Sequence, residues 1–218
     1  MNNKILLGLV FVAALGVGAY FAAAPSSPSQ PGPTLGAANA QTVDVDITTI
    51  KEMALGAEDA PITVIEYASY TCPHCRAFHE GTFRDLKANY IDTGKIRFIY
   101  REVYFDRYGL WGSIVARCGG GDKFFGISNL LYTQQSNWAK GSPAEIADNL
   151  KRIGLSAGLT QDQVDGCFSD GTKAQTLVNW FEANKNADGI TSTPSFVING
   201  TKYANMSYSE FQSILDAQ

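Results

Sequence analysis

A β-branched and aromatic run from Ile62 to Ser69 is followed, two residues on, by Cys72-Pro73-His74-Cys75. Apolar residues at helical spacing begin at once (Ala77, Phe78, Phe83, Leu86, Tyr90), which predicts a helix over Pro73 to Tyr90, ending before Thr93-Gly94. Lys95 to Val103, centred on Ile96, Phe98 and Tyr100, reads as the next strand. Strand, helix, strand in this order is a βαβ unit, whose strands run parallel in one sheet. The cysteine pair therefore sits where a strand feeds a helix. Few folds place two thiols there.

That position carries chemistry. One helical turn brings two Cα atoms to the roughly 4.4–6.8 Å that a disulfide spans. Cys72 also lies where unpaired backbone N–H groups and the helix dipole favour an anion, so its thiolate is stabilised. Pro73 is tolerated in a first helical turn because its missing N–H would have no partner there. His74 can give the Cys72 sulfur a further hydrogen bond or positive charge. Each effect stabilises the dithiol over the disulfide and makes the pair oxidising.

Around this unit, Val43 to Ile47 alternates as a short strand, and Gly56 to Pro61 reads as a turn. From about Asp106 to Ala187 helical patterns follow one another: Trp111 to Cys118, Phe124 to Gln134, Pro143 to Ile153, Gln161 to Phe168 and Thr172 to Ala183. Pro194 to Ile198 returns to strand character, and Asn199-Gly200 is a hairpin signal leading into Thr201 to Ala204. Ser207 to Ala217 closes as a helix, with Ser207 or Ser209 as N-cap. Glu66 shares a strand face with Ile62, Val64 and Ala68, which predicts a partly buried acid with a raised pKa.

The N-terminus reads as an address. Lys4 precedes 20 uncharged residues, Ile5 to Ala24, long enough for a signal peptide or a signal-anchor. Ala22 and Ala24 fit a cleavage pattern that Pro25 disfavours, and Ala38-Asn39-Ala40 offers a later one. Residues 25–40 hold four of the eight prolines, with Ser, Gly and Gln, and form a spacer. The folded domain is then 41–218. Of the 218 residues, 45 % are hydrophobic and 17 % charged, enough for a packed core and unlike a disordered chain. The net charge of −4 comes without any Lys/Arg run, which argues against nucleic acid as a partner. In an oxidising compartment the remaining cysteines, Cys118 and Cys167, read as a structural disulfide, with two buried free thiols as the alternative.

The run Glu66-Tyr67-Ala68-Ser69-Tyr70-Thr71-Cys72-Pro73-His74-Cys75, with Thr193-Pro194 far downstream, resembles the DsbA-like thiol oxidoreductases. The resemblance extends from about Ala54 to the C-terminus. It implies an α/β thioredoxin fold with a helical insertion, about 106–187, between the βαβ and ββα halves. It implies that Cys72 and Cys75 form the redox-active disulfide, that Glu66 moves a proton to and from Cys75, and that Thr193-Pro194 is a cis-proline loop. Thr193 would offer backbone groups to an extended substrate, and its hydroxyl would tune the Cys72 sulfur. Some members carry a second disulfide like Cys118–Cys167, though the simplest do not. The activity implied is oxidation of dithiols in substrate proteins with free cysteines. A quinone-linked, DsbB-type membrane protein would reoxidise it, with no organic cofactor or metal. The protein is expected in the periplasm as a monomer, soluble after cleavage or tethered through residues 5–24.

Four rival readings use the same cysteines. A reductase for cytochrome maturation would more typically show Trp before the first cysteine, where Thr71 stands, and an isomerase would need a dimerisation domain longer than Gln41 to Ala60. A Cu(I) chaperone would call for a Met-rich or His-rich patch, and the chain has three Met and two His. A zinc half-site lacks a second Cys pair at ligand spacing. His79 could join such a site, although a lone histidine on an amphipathic helix is expected to be solvated. Tyr67, Tyr70, Phe78, Tyr100 and Tyr104 suit a substrate groove or the core equally well. The sequons at Asn199 and Asn205 are weak signals.

Overall fold

The computed structural model describes residues 45–218, so the expected leader, the expected spacer and residues 41–44 of the expected domain lie outside the described residues. Five strands form one sheet: β1 (Met53–Leu55), β2 (Ile62–Ala68), β3 (Ile96–Glu102), β4 (Ser195–Ile198) and β5 (Thr201–Ala204), in the order β1-β3-β2-β4-β5. Only β2 and β3 are parallel, with Glu66 opposite Tyr100. β1 runs antiparallel to β3, and β4 antiparallel to β2. This is the thioredoxin-type α/β arrangement, and it makes β2 the central strand. The strand leading to the cysteines is thereby the one held on both sides.

Helices α1 (Pro73–Glu80) and α2 (Thr82–Leu86) cross from β2 to β3. The expected single helix to Tyr90 is broken at Gly81, whose ψ of −99° is not helical, and glycine is the weakest helix former after proline. A wide turn over Lys87–Ile91 follows, closed by the Asp92 N–H donating to the Lys87 carbonyl at 2.8 Å. The break seats Phe83 and Leu86 in the core beside Phe78. Phe78 meets Phe196 at 4.8 Å between ring centroids, and Phe83 meets Phe98 at 5.0 Å.

Six helices separate β3 from β4: α3 (Arg107–Cys118), α4 (Gly120–Thr133), α5 (Gln135–Trp138), α6 (Pro143–Ser156), α7 (Gln161–Ser169) and α8 (Gly171–Ala187). Capping boxes at Ser142/Glu145 and Thr160/Gln163 start α6 and α7. The block is fastened to the sheet by a buried ion pair, Arg117 to Glu102 at 2.6 Å, with the guanidinium also over the Phe124 and Trp180 rings. Cys118 and Cys167 are bonded, joining α3 to α7 with Cα atoms 5.9 Å apart. The chain ends with the β4–β5 hairpin and α9 (Tyr208–Leu215). Asn199 and Gly200 take φ of 45° and 83° in the turn, and Ser207 caps the helix.

Of the strand expected over Val43 to Ile47, residues 43–44 lie outside the described residues and residues 45–47 are not strand. Ile47 instead opens a capped 3₁₀ turn, Ile47–Thr49, because the Asp46 carboxylate accepts from the Thr48 N–H at 2.9 Å. Aspartate competes with strand ladders in this way. The edge strand is instead β1, whose three residues are too few to show alternation.

Candidate active site

β2 ends at Ala68, and the loop 69–72 delivers Cys72 as the N-cap of α1, with Pro73 in the first turn. Three contacts hold that loop. The Gln135 side-chain amide donates to the carbonyls of Tyr70 (2.8 Å) and Cys72 (3.0 Å). The Thr71 hydroxyl donates to Asp106 Oδ2 at 2.8 Å, while Asp106 Oδ1 accepts the Tyr108 and Gly109 N–H groups and so caps α3. Finally α3 lies close because of its glycines. A Cβ on Gly109 would stand 3.1 Å from Ser69 Oγ, and one on Gly112 3.1 Å from the Tyr70 ring.

Cys72 is half-buried and Cys75 fully buried, and both are free thiols. The Cys75 thiol donates toward Cys72 and brings its pKa down to about 5. The Thr193 side chain and the backbone N–H groups of Cys75 and His74 add to this against partial burial. As a thiol, Cys72 Sγ lies 3.6 Å from the Thr193 carbonyl. Cys75 goes the other way. Burial, then its role as donor to Cys72, then the charge on Glu66 hold its thiol well above the ordinary value. The two sulfurs are therefore unequal, an accessible thiolate beside a covered thiol.

Glu66 is 2 % exposed, and burial, followed by the Cys72 charge, raises its pKa well above the ordinary carboxylate range. Thr193-Pro194 is a cis peptide against the dithiol, with Pro194 buried. The Thr193 hydroxyl is buried without a conventional hydrogen-bond partner, and its nearness to both sulfurs favours the thiolate at each. The structure thus brings together Cys72, Cys75, Glu66, Thr193 and Pro194. His74 is exposed on the first turn, and what it gives the sulfur is its backbone N–H. The Cys118–Cys167 bond lies apart, in the helical block.

His79 departs from expectation. It is 7 % exposed, stacked on Phe83 (4.9 Å) and against Tyr132 (4.7 Å), and burial takes its pKa down to about 4. The helix face it occupies is covered by α4, which the periodicity of α1 alone does not reveal. Tyr67, Tyr70, Phe78 and Tyr100 are all core residues, and Tyr104 is half-buried against Phe181. Gln135 and Asp106 went unmarked in the sequence, and Thr71 was weighed there only as the residue before the first cysteine. Nothing in a polar stretch such as Thr133-Gln134-Gln135-Ser136-Asn137 singles out the one amide that clamps the loop 69–72.

The comparisons agree with this geometry. A family model described as "Thioredoxin" matches residues 48–217. A Rickettsia bellii protein, whose name provisionally assigns it as a protein-disulfide oxidoreductase, is 34 % identical over 166 residues, covering 76 % of this chain and 63 % of that protein. A similarly named Rickettsia conorii protein is 31 % identical over 193 residues, 88 % of this chain and 68 % of the relative. The crystal structure of alpha-DsbA1 from Wolbachia pipientis superposes with a TM-score of 0.70 at 30 % identity, over 77 % of this chain and 90 % of that one. This chain spans less than two thirds of the Rickettsia bellii protein's length. With Cys72 capping α1, Cys75 in its first turn, the cis-proline loop against them and these relatives around it, the chain belongs to the thioredoxin superfamily and, within it, to the DsbA-like proteins.

Proposed function

We propose that this protein is an exported protein dithiol oxidase acting by thiol–disulfide exchange. The observation that carries the proposal is the inequality of the two sulfurs: Cys72 with its pKa at about 5, Cys75 buried and held as a thiol. In the oxidised protein a substrate thiolate attacks Cys72 Sγ, the Cys72–Cys75 bond breaks, and Cys75 leaves as a thiolate that takes a proton from Glu66. A second substrate thiolate then attacks the substrate sulfur of the mixed disulfide. Cys72 departs as a stabilised thiolate, and the substrate keeps the new disulfide. A low-pKa leaving group makes this second step fast and draws electrons into the protein.

The Thr193-Pro194 loop, adjacent to Cys72, offers backbone groups to an extended substrate segment. Substrate proteins with free cysteines and a DsbB-type membrane reoxidant are the partners this reading requires. It places the protein in the periplasm, soluble or tethered through residues 5–24. No helix among the described residues is long and apolar enough to cross a membrane.

Stoichiometric oxidised protein, mixed with a reduced peptide bearing two cysteines, is expected to transfer one disulfide per Cys72–Cys75 pair. Quenching with acid and weighing both partners measures it. Failure to transfer, with tight one-to-one Cu(I) binding by the reduced protein, would establish the copper chaperone instead. Transfer only from peptide disulfide to reduced protein and onward to a reductant would favour the reductase.

A further inference from the structure

Beneath the dithiol lies a group of phenols that the exchange steps above leave unused. Tyr100 on β3 is the register partner of Glu66 on β2, so both side chains leave the same face of the sheet from neighbouring parallel strands. The Tyr100 hydroxyl lies 2.5 Å from that of Tyr132 on α4. Tyr70 stacks on Tyr100 (5.6 Å) and leans on Tyr132 (5.2 Å), while its own hydroxyl is taken up by Ser128 at 2.7 Å. All three rings are buried.

Donor counting shows what the pair can do. Two phenols hold two O–H groups, and the bond between them uses one. The remaining O–H has as protein acceptors the Ser69 carbonyl, at 3.4 Å from Tyr132 and so a long and weak contact, and on the Tyr100 side the Tyr70 oxygen. A strong acceptor nearby would capture it. The groups facing Glu66 are Cys72 and Cys75 from α1, Tyr100 from β3 and Tyr132 from α4, while its neighbour on β4 is the apolar Phe196. His79, behind Tyr132, is neutral at ordinary pH, and the buried cation Arg117 is bound at both forks by Glu102. When Glu66 gives its proton to the Cys75 thiolate, it becomes a buried carboxylate with no cation committed to it. A buried charge without a donor is expensive.

We propose that Tyr100 and Tyr132 are positioning residues for Glu66, and that the spare O–H of this phenol pair is the donor its carboxylate uses once the proton has passed to Cys75. The proposal rests on the proton-transfer role assigned to Glu66 above. It follows that removing either hydroxyl strengthens the hold of Glu66 on its proton. A hydrogen bond to a charged group accounts for about tenfold in proton affinity. The effect is read at Glu66 and not merely as lost packing, because phenylalanine fills the same space.

The test follows the carboxyl C=O stretch of Glu66 by infrared difference spectroscopy against pH in the full oxidised chain, with Glu66→Gln as the subtraction reference. In Tyr100→Phe and in Tyr132→Phe the protonation midpoint is expected about one pH unit higher. A midpoint unmoved in both variants, with only the thermal midpoint lowered, would overturn the proposal and leave the phenols a packing role. The underlying reading is checked separately by the pH dependence of peptide oxidation in Glu66→Gln. An unchanged profile there removes Glu66 from proton transfer, whatever the phenols do. A changed profile with unmoved Tyr→Phe midpoints defeats the phenol proposal alone.

Discussion

Replacing Cys72 with serine is expected to bring disulfide exchange down to the uncatalysed background, whereas replacing Cys75 with serine stops it halfway. The half-buried sulfur with its pKa near 5 is the one that partners reach, and the serine hydroxyl is no nucleophile at neutral pH. Cys75 cannot stand in for it. It is fully buried and its thiol is held well above the ordinary value, so it presents almost no thiolate and no access. In Cys75→Ser the Cys72 thiolate still attacks a peptide disulfide. One S–S bond breaks, a peptide thiolate leaves, and the mixed disulfide has no neighbouring thiol to resolve it. Intact mass after acid quenching should therefore show one peptide bound per protein in Cys75→Ser and none in Cys72→Ser. Labelling of Cys75 in Cys72→Ser, or turnover by Cys75→Ser, would contradict the division of labour between the sulfurs.

The second large effect is on stability. The Cys118–Cys167 bond closes a segment with a separation of 49 residues, tying α3 to α7 in a block whose helices otherwise depend on mutual packing. In the chain-entropy account such a crosslink restricts the unfolded state, and its loss costs about 4 kcal/mol. For a domain of ordinary marginal stability that is a large share. The Cys118→Ala/Cys167→Ala double variant is expected to unfold at clearly lower urea, with a stability loss of about 4 kcal/mol by linear extrapolation. A loss below about 1 kcal/mol would show that the helical block retains its structure when the rest unfolds, so that the bond restricts nothing.

Much of the site was legible because its chemistry is local in sequence. Cys72-Pro73-His74-Cys75 carries its own helix start, and the burial of Glu66 follows from strand parity. The cis peptide at Thr193-Pro194 was reached only through resemblance, since an isolated X–Pro bond does not announce its isomer. What stayed hidden depends on tertiary neighbours. Gln135 clamps the Tyr70 and Cys72 carbonyls from a four-residue helix, and Asp106 serves Thr71 and the start of α3 together. The pairing of Tyr100 with Tyr132 joins a strand to a helix 32 residues away. His79 was expected in water because α1 alone cannot show that α4 covers it. Over residues 45–47 the pattern mimicked a strand because alternation is also what a capped turn after Asp46 can look like.

The most direct test of the oxidase account is the reduction potential of the Cys72–Cys75 pair as a function of pH, from equilibration of the full chain in glutathione buffers. A thiol whose pKa is lowered on folding stabilises the reduced protein fully above its unfolded value near 9, and that stabilisation is lost as pH falls through about 5. At neutral pH the reduced pair then holds one proton and not two. The account predicts a potential well above the cytosolic glutathione poise of about −240 mV, falling by about 30 mV per pH unit between pH 6 and 8. A potential near the roughly −270 mV of thioredoxin, with a slope of about 59 mV per pH unit, would mean that Cys72 stays a thiol and that the pair is a reductant.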